Sequence, residues 1–349
     1  MLAKRQVTGF FFFLLLGCTA WGQTYKPSLA EQAYVWEYPL NGFTEVDYNA
    51  GVESLISHWE SVTGKRLQPG VHGRAGIKVF TQAGPGLMTP PNLTRAVIDA
   101  LERRGFSRSM LFIVDGTEQR LRECGYLPSR QGLGDDTFYD VPVLPLDTTS
   151  GITQDLWFYD SNLPSRERMA RAISSGRGFS FEEDPDDRKS FLPTTLFMEA
   201  DFWINLPMAA DSEALGISGA LANATLWNVT NNQRFFLSPA NAPVAAAEIA
   251  AIPELNEKWV FSILSLERYQ YVGGPRFNAF YTQREKRLWL SSNPVALDYL
   301  MWRRLVKGRR SANYDVPAGE PALFEYASTL GLGPYRLNEL KLRKLAPAN

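Results

Sequence analysis

Histidine and cysteine are scarce, at two of each in 349 residues. Two cysteines cannot supply the four thiolates of an iron–sulfur cluster, so none is expected. His58 and His72 stand in no metal-ligand spacing. A nucleophilic cysteine needs a basic partner, and Cys124 reads instead as a small buried hydrophobe. Charge imbalance is also missing: 36 Lys and Arg face 37 Asp and Glu, for a net charge of −1. The basic footprint of a nucleic-acid binder is absent, and no nucleic-acid partner is expected. The local cluster Arg303, Arg304, Lys307, Arg309 and Arg310 reads as a solvated helix end. No G-x-S-x-G, H-E-x-x-H or Walker pattern occurs, and "GLGDD" at 132–136 does not lead from a strand into a helix. Past the N-terminus no segment reaches about 18 consecutive apolar residues, so nothing else is expected to span a membrane.

What is present begins with "MLAKRQVTGFFFFLLLGCTAWGQ". Lys4 and Arg5 precede an apolar core from about Phe10 to Leu16, followed by small residues, the pattern of a secretory signal peptide over residues 1–22. Two processing sites compete. Cleavage after Ala20-Trp21-Gly22 gives a soluble periplasmic or extracellular protein. Leu15-Leu16-Gly17-Cys18 also reads as a lipobox, which would place a lipid on Cys18 and anchor the chain to the envelope. Membrane contact is expected only through the signal peptide or that lipid.

The rest has the composition of a soluble globular chain, with 21% charged and 45% hydrophobic residues. Residues 23–75 read as an N-terminal extension with a helix over Gly51–Thr63. "GIKVF" at Gly76–Phe80 reads as a strand, and "TQAGPGLMTPP" as a loop. Asn92–Arg104 reads as an amphipathic helix with Asn92 as N-cap and Gly105 as its stop, and Ser109–Val114 as a second strand. Strand, loop, helix and strand make a βαβ unit at 76–114, hence a parallel pair. Further strands are expected at Val141–Leu146 (an edge), Leu196–Leu206, Lys258–Leu266 and Arg287–Leu290. A helix is expected over Asn293–Leu305, with Asn293 as N-cap and Pro294 at its first position. Residues 151–190 read as an excursion, charged at Arg166–Arg171 and acidic at Glu182–Asp187. The alternation implies an α/β domain over 76–349, a mostly parallel twisted sheet flanked by helices. The eight tryptophans after residue 22 read as core packing.

Six stretches in order resemble the family called DUF362, a domain of unknown function, over about Gly76 to Tyr335. They are "GIKVF" with "TPPNLTRAVIDALERRG", "FIVDG" with "LRECGY", "ADFWINLPMAADSEALGISGALANA", "YVGGPRF", "NPVALD" and "YASTLGLGPY". The resemblance implies an α/β fold more readily than an activity. Family members with ferredoxin-like cysteine clusters have no counterpart here. In the central segment the family's two lysines and histidine fall at Ala210, Ala222 and Ser212, so a basic anion site shared with relatives is not expected.

The remaining candidates for a ligand site are Lys78, Asp115, Asp211, Asn223 and Asp298. Lys78 sits inside the apolar strand Gly76–Phe80, towards the C-terminal edge where open α/β sheets bind ligands, and Asp115 ends the next strand and approaches the same edge. Asp211 and Asn223 survive in the small-residue segment Ile204–Leu226. Asp298 lies at a helix start, where an acidic side chain is also favourable for structural reasons. Two functions remain open. One is binding of a small polar molecule in a cleft at the strand C-termini, with a degenerate site. The other is an enzyme using carboxylates and Lys78, with or without a divalent metal.

Overall fold

The structure, a computed structural model, describes residues 25–129, 135–176 and 185–346. The signal peptide and Cys18 lie outside the described residues, as do parts of the GLGDD stretch and of the acidic run at 182–187.

Nine strands form the main sheet: β1 Tyr34–Pro39, β2 Ala75–Lys78, β3 Leu111–Asp115, β4 Thr137–Phe138, β5 Val141–Pro145, β8 Phe202–Asn205, β11 Trp259–Ser265, β14 Arg287–Ser291 and β15 Lys341–Lys344. Their spatial order is β15-β1-β14-β11-β8-β2-β3-β5-β4. The strands β15, β1, β11, β8, β2, β3 and β5 run one way, and β14 and β4 run against them. The α/β, mostly parallel architecture therefore holds, and the pair β2–β3 is the expected parallel βαβ unit. A β6–β7 pair, Thr153–Asp160 with Lys189–Pro193, forms the excursion's own sheet. The small-residue segment forms a hairpin of β9 Ala209–Ser212 and β10 Gly216–Ser218. It joins β12 Tyr269–Gln270 and β13 Thr282–Gln283 in a four-stranded sheet.

Helices cover both faces, as parallel sheets require. One face buries Ile77, Ile113 and Ile204 against the helices Glu45–Thr63 and Pro91–Glu102. The other buries Phe112, Val114 and Trp203 with residues of the helices Ala242–Ala250, Pro294–Ser311 and Ala322–Thr329. Six of the eight tryptophans after residue 22 are buried and two, Trp157 and Trp302, are half-buried, as core packing requires. The excursion is tied to the body by the buried Arg234, whose guanidinium donates to the carbonyls of Leu163, Asp187 and Arg188 and to Ser190 Oγ.

Several boundaries differ from expectation for identifiable reasons. The helix expected over Gly51–Thr63 starts at Glu45, because Thr44 and Asp47 form a reciprocal capping box; Gly64, at φ +70°, stops it. Asn92 is not an N-cap: the helix starts at Pro91, and Asn92 donates its amide to the Phe43 carbonyl (3.1 Å). The strand expected over Leu196–Leu206 is helical at Thr195–Met198 and extended only from Phe202. The break is held by Asp201, whose carboxylate accepts from the Gly70 and His72 amides (2.7 and 2.9 Å). Val141–Pro145 is not the edge, since β4 pairs outside it. The Asn293 cap is as expected: its Oδ1 accepts from Ala296 N (3.0 Å), with Pro294 first in the helix. That helix runs on to Ser311, past the expected end at Leu305.

Candidate functional site

The C-terminal ends of β2, β3 and β8 and the middle of β11 bring polar residues together. Register pairs Lys78 with Asn205 and Asn205 with Ser262, so three polar side chains emerge side by side on the same sheet face. The short helix Ala220–Ala224 lies over that row and supplies Asn223. Lys78 is fully buried. Its Nζ donates to the Val79 carbonyl (2.7 Å), Asp115 Oδ1 (2.6 Å) and Asn223 Oδ1 (3.0 Å). An ammonium has three protons, and all three are used. Burial pulls the Lys78 pKa down, while the Asp115 carboxylate holds it up.

The other members are satisfied in the same way. Asp115 Oδ2 accepts from the Thr81 amide (2.7 Å) and hydroxyl (2.5 Å). Asn223 Nδ2 donates to Asn205 Oδ1 (2.8 Å). Asn205 Nδ2 donates to Ser262 Oγ (3.0 Å) and the Ala220 carbonyl (2.9 Å). The structure thus joins Lys78, Asp115 and Asn223 in one closed network, but beneath the surface.

Asp298 reaches the same helix from behind. Its carboxylate accepts from Ala220 N (2.5 Å) and Leu221 N (2.9 Å), so it caps a helix other than its own. Burial raises its pKa to about 7 against the pull of those two amides. Gly219 must be glycine, because a Cβ there would sit 2.2 Å from Asp298 Oδ1. Asp211 stands apart. It pairs with Arg309 (2.8 Å) and accepts from Gly273 N (3.0 Å), which ties the "GGP" turn to the helix Pro294–Ser311. Ala210 and Ala222, where the resembled family has lysines, lie in the hydrophobic core. A Cβ on Gly274 would come within 2.7 Å of the Ala210 side chain, so the small residues permit close backbone approach.

An open cleft of about 630 Å³ lies over the loops that follow β2, β3 and β5. Gln82 and Asp147 come from those loops, Arg120 from the short helix Glu118–Glu123 after β3, Arg166 from the excursion and Arg276 from the GGP turn. The stacked rings of Trp227 and Phe236, 4.1 Å apart, form an apolar wall. Arg120 pairs with Glu123 (2.6 Å). Arg166 and Arg276 are exposed and have no ion-pair partner among the described residues. Asp147 accepts from the Glu118 amide (2.9 Å). Gln82 joins cleft to network, with its Nε2 3.5 Å from Asp115 Oδ2. This lining offers guanidinium donors for an anion beside an apolar wall. Among the described residues no three His, Cys, Asp or Glu side chains group as a metal site.

Sequence reasoning located the edge but missed Arg120, Arg166, Arg276 and the Trp227–Phe236 wall. Arg120 and Asp147 follow strand ends and were open to the switch-edge rule. Arg276 stands in the quoted "YVGGPRF". Arg166 carries no local signal.

No family model matches the chain, and no curated protein matches it. The fold is similar to that of a Thermotoga maritima protein solved crystallographically by a structural genomics consortium, at 12% identity and a TM-score of 0.37. The match takes in 79% of this chain, which spans 61% of that one.

Proposed function

We propose that this chain is an exported binding protein of the DUF362 kind that holds a small polar molecule with an anionic group in the cleft beyond β2, β3 and β5. The observation that carries the reading is the pair of exposed guanidiniums, Arg166 and Arg276, without an ion-pair partner among the described residues and facing the same cleft as the Trp227–Phe236 wall. Lys78, Asp115 and Asn223 act beneath it as a rigid floor, coupled to the ligand only through Gln82. The enzyme alternative is less well supported, because the Lys78 ammonium is saturated and each candidate carboxylate already has fixed partners.

Thermal-shift and calorimetric titration with small carboxylates, phosphates and sugar acids tests this. At least one anionic compound is expected to bind, and Arg166→Ala/Arg276→Ala is expected to weaken it about tenfold or more, as loss of charge-assisted bonds implies. Equal affinity in wild type and variant would sink the cleft assignment.

Export is part of the same proposal. Processing after Gly22 is expected to give a mature N-terminus at Gln23. Incorporation of labelled palmitate into wild type but not into Cys18→Ser would instead establish the lipid-anchored form.

A further inference from the structure

The basic cluster at 303–310 is not spread over a bare helix end. It walls a second cavity, about 660 Å³, between the helix Pro294–Ser311 and the C-terminal segment. Its lining shares no residue with the cleft described above. Arg303, Lys307 and Arg310 recur at i, i+4 and i+7, so they line one side of the helix. All three are exposed, and none has an ion-pair partner among the described residues. Their neighbour Arg304 differs: it pairs with Glu285 (2.9 Å) and lies over the Trp289 ring. The cavity's one carboxylate, Glu320, accepts from Tyr299 Oη (2.9 Å). Among the lining residues these three cations face a single carboxylate, so the cavity carries an excess of positive charge.

Beside the cations the lining is apolar. Tyr299 and Trp302 stack at 6.0 Å. Leu337 and Leu342 enter from the C-terminal segment and remain 48% and 41% exposed, high values for leucines that line a concavity. Leu342 lies on β15, an outermost strand of the main sheet. A volume near 660 Å³ is within the range of about 300–1,000 Å³ typical of small-ligand sites.

We propose that this cavity binds a single-chain anionic amphiphile, a carboxylate or phosphate head carrying an apolar tail. The head meets Arg303, Lys307 and Arg310, and the tail covers Trp302, Leu337 and Leu342. Charge complementarity fixes the sign of the head. The exposed leucines require a tail, since each methylene removed from water strengthens binding about fourfold. A bare anion leaves that surface wet, and a cationic amphiphile meets like charges.

The test is calorimetric titration of the purified chain with decyl phosphate below its micellar concentration, alongside inorganic phosphate, decyltrimethylammonium and phosphatidylglycerol vesicles. Decyl phosphate is expected to bind saturably at one per chain, with inorganic phosphate and the cationic amphiphile at least about tenfold weaker. Arg303→Ala/Lys307→Ala/Arg310→Ala changes exposed side chains and is expected to fold normally while losing about tenfold or more in affinity. Leu337→Ser/Leu342→Ser is expected to lose several-fold in affinity for decyl phosphate and nothing for inorganic phosphate. Equal binding by the triple variant, phosphate binding as well as decyl phosphate, or sedimentation with vesicles without binding of the monomer would each overturn the proposal. The last two outcomes would indicate a free-phosphate site and a lipid-surface contact, respectively. Arg166→Ala/Arg276→Ala should leave decyl phosphate affinity unchanged, which separates this site from the cleft.

Discussion

Replacing Lys78 with methionine is expected to lower the unfolding free energy by about 3–5 kcal/mol, the range for breaking a buried ion pair on one side. The side chain is fully buried, and its ammonium neutralises Asp115 at 2.6 Å. Methionine fills a similar volume but leaves the carboxylate held only by neutral donors, Thr81 and Gln82. Asn223 Oδ1 loses its donor as well. Adding Asp115→Asn to Lys78→Met should restore about 1–3 kcal/mol, because an amide oxygen still accepts from Thr81 without a buried charge. Equilibrium urea unfolding of the three proteins measures both effects. A loss below about 1 kcal/mol in the single variant would show that the pair does not hold the fold. Normal stability with lost ligand binding would place Lys78 in the site itself rather than under it.

Stability should fall as pH rises through the window set by Asp298. In the folded chain its pKa is raised from 3.8 to about 7 by burial. Above the lower value the unfolded chain has released a proton that the folded chain still holds, so ionisation favours unfolding. The contribution is favourable below about pH 4, declines by about 1.4 kcal/mol per pH unit, and is lost once pH passes the folded value, about 4 kcal/mol in all. Asp298→Asn cannot titrate and should lack this slope. It should be less stable than wild type at low pH, because its amide nitrogen faces one of the two backbone N–H groups now bonded to the carboxyl. Urea unfolding at several pH values between 4 and 8 gives both curves, and their difference cancels the other titrating groups. Parallel curves would contradict the assignment.

These two residues also show what could be read in advance. Lys78 and Asp115 were legible as near one edge because they lie on the two strands of one βαβ unit, and parallel pairing brings the C-terminal sides of such strands together. The Asn293 cap was legible because cap and Pro294 are adjacent in sequence. Asp298 was legible as an acid at a helix start but not in its role, since the amides it caps lie 77 and 78 residues away. Asn205 and Ser262 pair only through the register of β8 and β11, which no local pattern encodes. Asn92 misled because a good capping residue followed two prolines, and Pro91 could itself begin the helix. In the run of small residues at Ile204–Leu226, Gly219 lies against Asp298 and Ala210 against Gly274, so the close approaches are to protein groups. The charges of the cleft were scattered over a strand-end loop, a short helix, an excursion and a turn, so only folding assembles them.

The row Lys78, Asn205 and Ser262 has a consequence for how the central strands find each other. Apolar neighbours such as Ile77, Ile113 and Ile204 would pack nearly as well if β2 slid along β8, since every strand here is hydrophobic on both faces. A slip of one residue would turn the Lys78 ammonium away from Asn223 and into the layer of Ile56, Val97 and Leu101. An unpaired cation there is disfavoured by several kcal/mol, far more than a shifted leucine. The polar row works as an alignment key: it penalises wrong pairings in a sheet whose greasy strands would otherwise tolerate them.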